Sequence, residues 1–405
     1  MLRLYNSLGK KIQPFHPVNP NVVNIFTCGP SVYQRAHIGN FRTFLFEDIL
    51  VKYLQFSGYR VRRGMSITDI EDKAIVEARK ENTSLKILTQ NNIREFFEEA
   101  GLLKIKKPDI LPLASSLVRE AVSIIEDLTL KKNAYWHQGD VFFDPLTFPG
   151  FGKVYGLDMS KWPKNRRRFS RDTYPGMRWN LGDFILWDRC SGDEAYCWNT
   201  RIGFGRPAWN VQDASMVSRY FDETLSIYCG GIDNIIRHHD YSVAVVESIK
   251  PYPMSRFWLH CHHLYADGRK MSKSLGNIIY TENLLKLGYS PAEIRFFLVD
   301  NHYRAKINYS EKNFRASSDR LAKLREMVQK FNGLSGSSPQ MHSDRGVHLK
   351  KIFMREMDND LNVSKACDAV LNFLSGIHCQ RLAPGEVKDI FSTLKEIDGV
   401  LGVLF

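Results

Sequence analysis

The sequence predicts an α/β protein, with a Rossmann-like core interrupted by a mixed insertion and followed by a helical bundle. Three observations predict it. A β-branched and aromatic run near the N-terminus leads through glycine into an amphipathic helix. A second strand-like run leads into Gly230-Gly231 far downstream, and the residues beyond 311 repeat their apolar positions at three-four spacing.

Val22-Val23-Asn24-Ile25-Phe26 is short enough for a buried strand. It runs through Cys28-Gly29-Pro30 to His37-Ile38-Gly39. Phe44, Ile49, Leu50, Tyr53 and Leu54 then trace a helix that Gly58 ends. Tyr59 to Ile67 reads as the next strand. Strand, glycine turn, helix and strand make a mononucleotide-binding unit, whose ligand sits at the C-terminal end of the first strand. Residues from about 85 to 225 read as the insertion, with helices around Asn91–Glu99 and Leu117–Leu130. Thr224–Asp233 supplies a second strand and the turn Gly230-Gly231-Ile232-Asp233, before a helix carrying Val243, Val245 and Val246. Leu321, Leu324, Val328 and Phe331 open the helical bundle, and Val370 to Ile377 and Val387 to Ile397 continue it. Asn332 to Gly346 is rich in Gly and Ser and reads as a linker. The expected division is a nucleotide-binding domain over 1–310, insertion about 85–225, and a helical bundle over 311–405, linker about 332–346.

A chain of 405 residues with 43% hydrophobic content can bury a full core. No apolar run reaches the roughly 18 residues that span a bilayer, and Met1-Leu2-Arg3-Leu4-Tyr5-Asn6 reads as a strand rather than a signal peptide. No membrane partner is expected, and the expected place is the cytoplasm. Seven cysteines without a Cys-x-x-Cys pair argue against a disulfide framework. Any metal site must then be assembled from distant segments. The net charge of +12 suits a polyanion such as a nucleic acid or a nucleotide phosphate, a solvated basic surface being the plain alternative. Lys164-Asn165-Arg166-Arg167-Arg168 lies in a Pro/Gly/Trp-rich stretch and reads as an exposed loop.

Two short motifs carry chemistry. His37-Ile38-Gly39-Asn40 stands beside the first strand, and Lys270-Met271-Ser272-Lys273-Ser274 follows the second half-fold. Either alone is weak; together and in this order they suit the phosphates of ATP. His37 would donate to phosphate oxygens and Gly39 would admit the nucleotide to the backbone. Lys270 and Lys273 would neutralise a departing pyrophosphate. Gly230 and Gly231 would leave room for adenosine, and Asp233 would accept from ribose hydroxyls.

Leu4-Tyr5-Asn6-Ser7, Cys28 to Tyr33, His37 to Thr43 and Ile67-Thr68-Asp69-Ile70-Glu71-Asp72-Lys73 form a succession. Phe184 to Trp187, Gly205-Arg206-Pro207-Ala208-Trp209, Gly230 to Asp233 and Lys270 to Asn277 continue it. Over nearly its whole length the chain resembles the cysteinyl-tRNA synthetases, a class I aminoacyl-tRNA synthetase family. The resemblance implies a class I catalytic domain and an adenylate-forming ligase that takes ATP with magnesium as substrate. An amino acid would be activated as aminoacyl-AMP and passed to a tRNA 3′ end, through its acceptor arm, or to a small amine. His37, Lys270 and Lys273 would be catalytic; Gly39, Asn40, Gly230, Gly231, Asp233 and Ser274 would join them in binding ATP. Cys28, Gly29, Thr68, Trp209, Asp213, His238 and Ser242 would line the amino-acid pocket.

That family holds zinc through two cysteines, a histidine and a glutamate, and zinc prefers thiolate to alcohol. Cys28 and His238 stand at two of these positions, while Asp213 falls at the second cysteine and Ser242 at the glutamate. Thiolate thus gives way to carboxylate and carboxylate to hydroxyl, so tightly held zinc is not expected; the metal candidates that remain are Cys28, Asp213 and His238, with Asp240 or His239 as substitutes if the register shifts. The chain stops at Gly399 to Phe405, about where the family's helical bundle finishes, so its small anticodon-reading segment is expected to be missing. A ligase of mycothiol biosynthesis has a similar stop and keeps the zinc ligands. Two alternatives stand beside the main reading. One is a working cysteine–tRNA ligase with an altered zinc site; the other is an inactive paralogue that binds tRNA or a protein.

Overall fold

A computed structural model describes residues 1–161, 183–191, 196–271, 275–332, 344–378 and 382–405. The chain opens with an antiparallel hairpin, β1 (Arg3–Asn6) and β2 (Lys11–Pro14). β3 (Val23–Thr27) is buried along its whole length, as befits a strand covered on both faces. α1 (Ile38–Phe56) starts at a reciprocal cap: His37 Nδ1 accepts from the Asn40 amide, and Asn40 Oδ1 accepts from the His37 amide. It ends at Ser57, where Gly58 turns the chain with φ +91°. β4 (Val61–Met65) returns parallel to β3.

α2 (Asp72–Lys80) and α3 (Leu85–Leu102) follow, and α3 stacks Phe96 on Phe41 of α1 with ring centroids 5.7 Å apart. After α4 (Val118–Leu130) comes an antiparallel sheet. Its strands are β5 (Ala134–His137), β6 (Asp140–Phe143), β7 (Phe184–Arg189), β8 (Trp198–Thr200) and β9 (Gly203–Pro207), in the order β5-β6-β7-β9-β8. α5 (Trp209–Tyr220) leads back to β10 (Leu225–Gly231). A π-helical turn, Ile235–His239, runs into α6 (Asp240–Ile249) and then β11 (Ser255–Cys261). β12 (Leu264–Ala266), β13 (Arg269–Lys270), α7 (Thr281–Lys286), α8 (Pro291–Val299) and β14 (Ile307–Tyr309) come next. Four helices close the described chain: α9 (Glu311–Asn332), α10 (Asp344–Met357), α11 (Val363–Ser375) and α12 (Pro384–Leu401).

The parallel sheet has the order β11-β10-β3-β4. From β3 the chain crosses through α1 to β4; from β10 it crosses through α6 to β11, in the opposite direction. The order therefore reverses between β3 and β10, and the crevice at their C-terminal ends is where such sheets bind ligands. Alternate residues serve opposite faces of the sheet. Ile25, Ile227, Cys229, Phe257 and Leu259 pack with α1, α8 and the C-terminal helices, whereas Phe26, Tyr228 and Trp258 pack with α4, α5, α6 and the antiparallel sheet.

Two buried ion pairs anchor α1 in this core, Glu47 with Arg63 of β4 and Asp48 with Arg295 of α8. The helices expected around residues 91–99 and 117–130 are α3 and α4. One expectation needs correction: Cys190 and Cys197 form a disulfide. Antiparallel pairing of β7 and β8 on either side of β9 brings their Cα atoms to 6.3 Å, a proximity that spacing along the chain does not reveal. The basic run at 164–168 lies outside the described residues, as does most of the expected linker over 332–346.

Candidate active site

A cavity of about 430 Å³ opens at the reversal point between β3 and β10. It has two ends. At one, His37, Gly39 and Asn40 present the N-terminus of α1, facing Gly231 at the end of β10, Asp233 just beyond it and Lys270 at the end of β13. At the other, Cys28, Gly29, Thr68, Trp209 and His238 form the wall. Of the expected site residues, Lys273 and Ser274 lie outside the described residues.

The phosphate-like end follows from the first turn of α1. His37 Nδ1 accepts a bond, so the ring proton sits on Nε2. Burial, with Lys270 adding to it, lowers the His37 pKa to about 4, so the ring is a neutral donor at pH 7. Lys270 Nζ lies 3.5 Å from Asp233 Oδ2, and His263 Nε2 lies 3.8 Å from the same oxygen. A cation, a neutral imidazole and a helix N-terminus thus face one space, the combination that favours a phosphate. At Gly39 a Cβ would come within 2.7 Å of Met271 Cε, the tip of the side chain that follows β13. At Gly29 a Cβ would stand 1.6 Å from the Ser66 carbonyl oxygen. Only hydrogen fits there, because the chain leaving β3 lies hard against the chain leaving β4.

The other end is built on a buried polar cluster. Asp213 Oδ2 accepts from Tyr228 Oη at 2.5 Å and lies 2.8 Å from His238 Nε2 and 3.6 Å from Cys28 Sγ. Burial pushes this carboxyl up, but His238 and hydrogen bonds from Tyr228 and Ser66 outweigh it and hold the pKa below the usual value. Burial, with Asp213 beside it, pushes the Cys28 thiol well up. His239 Nε2 lies 3.0 Å from Cys28 Sγ, its Nδ1 lies 2.7 Å from His260 Nε2, and His260 Nδ1 lies 2.7 Å from Ser7 Oγ. Burial lowers His260 to about 3 and carries His239 well below its ordinary value. Trp209 covers the cluster, stacking on His238 with centroids 4.0 Å apart.

Three expected pocket or nucleotide residues fall elsewhere. Asp213 stands behind the wall, in contact with His238, Cys28 and Ser66, which line the cavity. Gly230 lies off the cavity wall, where its missing Cβ makes room for the His239 ring. Ser242 is fully buried on α6, off the cavity, and its Oγ finds no partner among the described residues. The π-helical turn explains the last case. Its wider spacing leaves both His238 and His239 beside Cys28, and Ser242 falls further along, in the packed helix. Asp240 is no substitute either, since its oxygens accept from the Val154 and Tyr155 amides. Sequence reasoning gave no role to His260 or Tyr228. The one available signal was a histidine inside the apolar strand 255–261.

Comparisons with known proteins fit this geometry. Residues 14–319 match the family model described as tRNA synthetases class I (C) catalytic domain. A cysteine–tRNA ligase of Chlamydia pneumoniae is 37% identical, across 100% of this chain and 86% of that protein. The chain belongs to the cysteine–tRNA ligase family. A member from Solibacter usitatus is 33% identical, across 100% of this chain and 87% of its own length. Among solved structures, a Mycobacterium tuberculosis methionyl-tRNA synthetase in complex with methionyl-adenylate is similar with a TM-score of 0.65. It is 14% identical and covers 94% of this chain and 89% of its own. The Agrobacterium radiobacter LeuRS–tRNA–LeuAMS complex gives a TM-score of 0.69 at 12% identity, covering 96% of this chain and 85% of that one. At such identities these two speak for the class I fold alone.

Proposed function

We propose that the chain is an ATP-dependent ligase that activates cysteine as its adenylate and transfers it to the 3′ end of a tRNA. The observation that carries this reading is the two-ended cavity at the reversal point, with His37 and Lys270 at one end and Cys28, Trp209 and His238 at the other. In the first step a substrate carboxylate oxygen attacks the α-phosphorus of ATP, that O–P bond forms, and the bond to pyrophosphate breaks. Charge gathers on phosphate oxygens, so cations and N–H donors fixed in advance lower the barrier. His37 Nε2–H and the Lys270 ammonium supply them, joined by Lys273 on the sequence motif alone. In the second step a tRNA ribose hydroxyl attacks the acyl carbon and AMP leaves. Asp233 is proposed to receive ribose hydroxyls once ATP draws Lys270 away from it. The division that goes with this reading is a catalytic unit over 1–310 and a helical bundle over 311–405, in keeping with the start of α9 at Glu311.

Zinc is the implied metal, and the donors suit it. Ligand atoms of Cys28, His238 and His239 lie within 4.8 Å of one another, Asp213 stands beside them, and His260 orients the far nitrogen of His239. Cys28, His238 and His239 would hold the ion with Asp213 beside them, His239 being the substitute that a shifted register allowed. Bound there, zinc would favour a substrate thiolate over a hydroxyl.

ATP, an amino acid and tRNA are the partners this reading needs; nothing found supports a small-amine acceptor. No helix of the described residues is long and apolar enough to cross a membrane, and a cytoplasmic location is part of the proposal. The test is aminoacylation itself: purified protein, ATP, magnesium, labelled cysteine and total tRNA. Label in acid-precipitable, base-labile tRNA supports the reading. ATP-dependent cysteine adenylation with no transfer to any tRNA would remove the second step.

A further inference from the structure

Arg42 lies on α1 five residues after His37 and is 1% exposed. Among the described residues no carboxylate pairs with it, unlike buried Arg63 and Arg295, which meet Glu47 and Asp48. Its donors go to four main-chain carbonyls instead. Nε reaches His262 at 2.9 Å, one terminal nitrogen reaches Leu298 at 3.2 Å, and the other reaches His302 at 3.2 Å and Ala305 at 2.6 Å. Those carbonyls belong to two stretches of chain. His262 is the root of β12 and β13, which carry Lys270; residues 298–305 lead into β14, which pairs with β12.

We propose that Arg42 is a positioning residue that holds Lys270 at a fixed offset from His37, so that both ends of the phosphate site meet ATP together. Burying a guanidinium costs desolvation energy, which a plain core position would avoid with an apolar side chain. What the planar fork provides, and an apolar group or a lysine does not, is a set of directed donors binding separate segments at once. The inference rests on the proposed ATP site, and its test reads ATP binding as well as turnover.

Arg42→Lys and the milder Arg42→Gln are compared with Arg295→Lys, a buried arginine whose partners lie away from the cavity. Three quantities are measured: affinity for ATP by calorimetry, amide exchange over residues 262–271 and 298–305, and turnover with KM for the amino acid. The expected result for the Arg42 variants is ATP binding at least tenfold weaker, faster exchange confined to 262–271 and 298–305, and lower kcat with amino-acid KM within about twofold. Arg295→Lys should lower thermal stability and leave ATP affinity unchanged. ATP affinity kept in the Arg42 variants, or lost equally in Arg295→Lys, overturns the proposal. So does failure of both Arg42 variants to yield folded protein, which would mark the residue as structural. If wild type binds ATP but activates no amino acid, the proposed function fails while the affinity comparison still decides the role of Arg42.

Discussion

Asp213 Oδ2 lies 2.8 Å from His238 Nε2, and both side chains are all but closed to solvent. Tyr228 and Cys28 point at the same oxygen. Removing the carboxylate would leave a phenol, an imidazole and a thiol buried with an acceptor gone. Asp213→Ala should therefore cost about 3 kcal/mol in urea denaturation. Zinc measured by elemental analysis should fall from near one per chain to a small fraction of that. Unchanged stability together with unchanged zinc would detach Asp213 from the cluster.

Ser242→Ala should leave zinc content unchanged, because its hydroxyl sits off the cavity and without a partner among the described residues. His239→Asn should lower zinc content by tenfold or more if His239 supplies a ligand atom. The reverse ranking would show that Ser242, at the position of the family's glutamate, matters to the metal and that His239 does not.

His37 makes a prediction about pH. Its folded pKa is lowered to about 4 from the ordinary 6.5, so between those values the unfolded chain takes up a proton that the folded chain refuses. Stability must then fall as pH drops from 6.5 toward 4, and rise with pH across the same window. The ring is only half-buried, so the contribution is about 1–2 kcal/mol after screening. His37→Asn keeps a capping acceptor and removes the titration. Its stability relative to wild type should improve by that amount between pH 7 and pH 4.5. Parallel profiles for the two proteins would contradict the assignment; the buried His239 and His260 act equally in both and cancel.

Gly29→Ala should be among the most damaging single methyl additions in the chain. The new carbon would overlap a main-chain oxygen at 1.6 Å, and a backbone at the meeting of two strand ends cannot swing aside as a side chain can. A loss of about 3 kcal/mol or more, or insoluble protein, is expected by thermal denaturation. Near wild-type stability would show that Gly29 and Ser66 lie further apart.

These outcomes bear on how much could be read in advance. The first strand, α1 and its Gly58 stop were legible because local rules decide them: β-branched residues, a glycine turn and three-four apolar spacing. His37 and Gly231 were legible for the same reason, since each belongs to a short motif at a strand end. The Cys190–Cys197 bond was not, because it depends on the order β7-β9-β8 across an antiparallel sheet. Ser242 missed the pocket because of one wide helical turn, and that turn brings His239, the substitute a shifted register allowed, beside Cys28. Arg42 and His260 carry no motif of their own. Arg42 reaches His262, 220 residues away, and His260 reaches Ser7 253 residues away and His239 21 away, distances no local pattern covers.

ATP–pyrophosphate exchange tested across the twenty amino acids bears most directly on the central claim, that the cavity between β3 and β10 is an adenylation site. Exchange should require an amino acid, be fastest with cysteine, and fall by about 10²-fold in Lys270→Ala, one well-placed cation being worth roughly 3 kcal/mol at such a transition state. Absence of exchange with every amino acid, or exchange indifferent to Lys270, would contradict it.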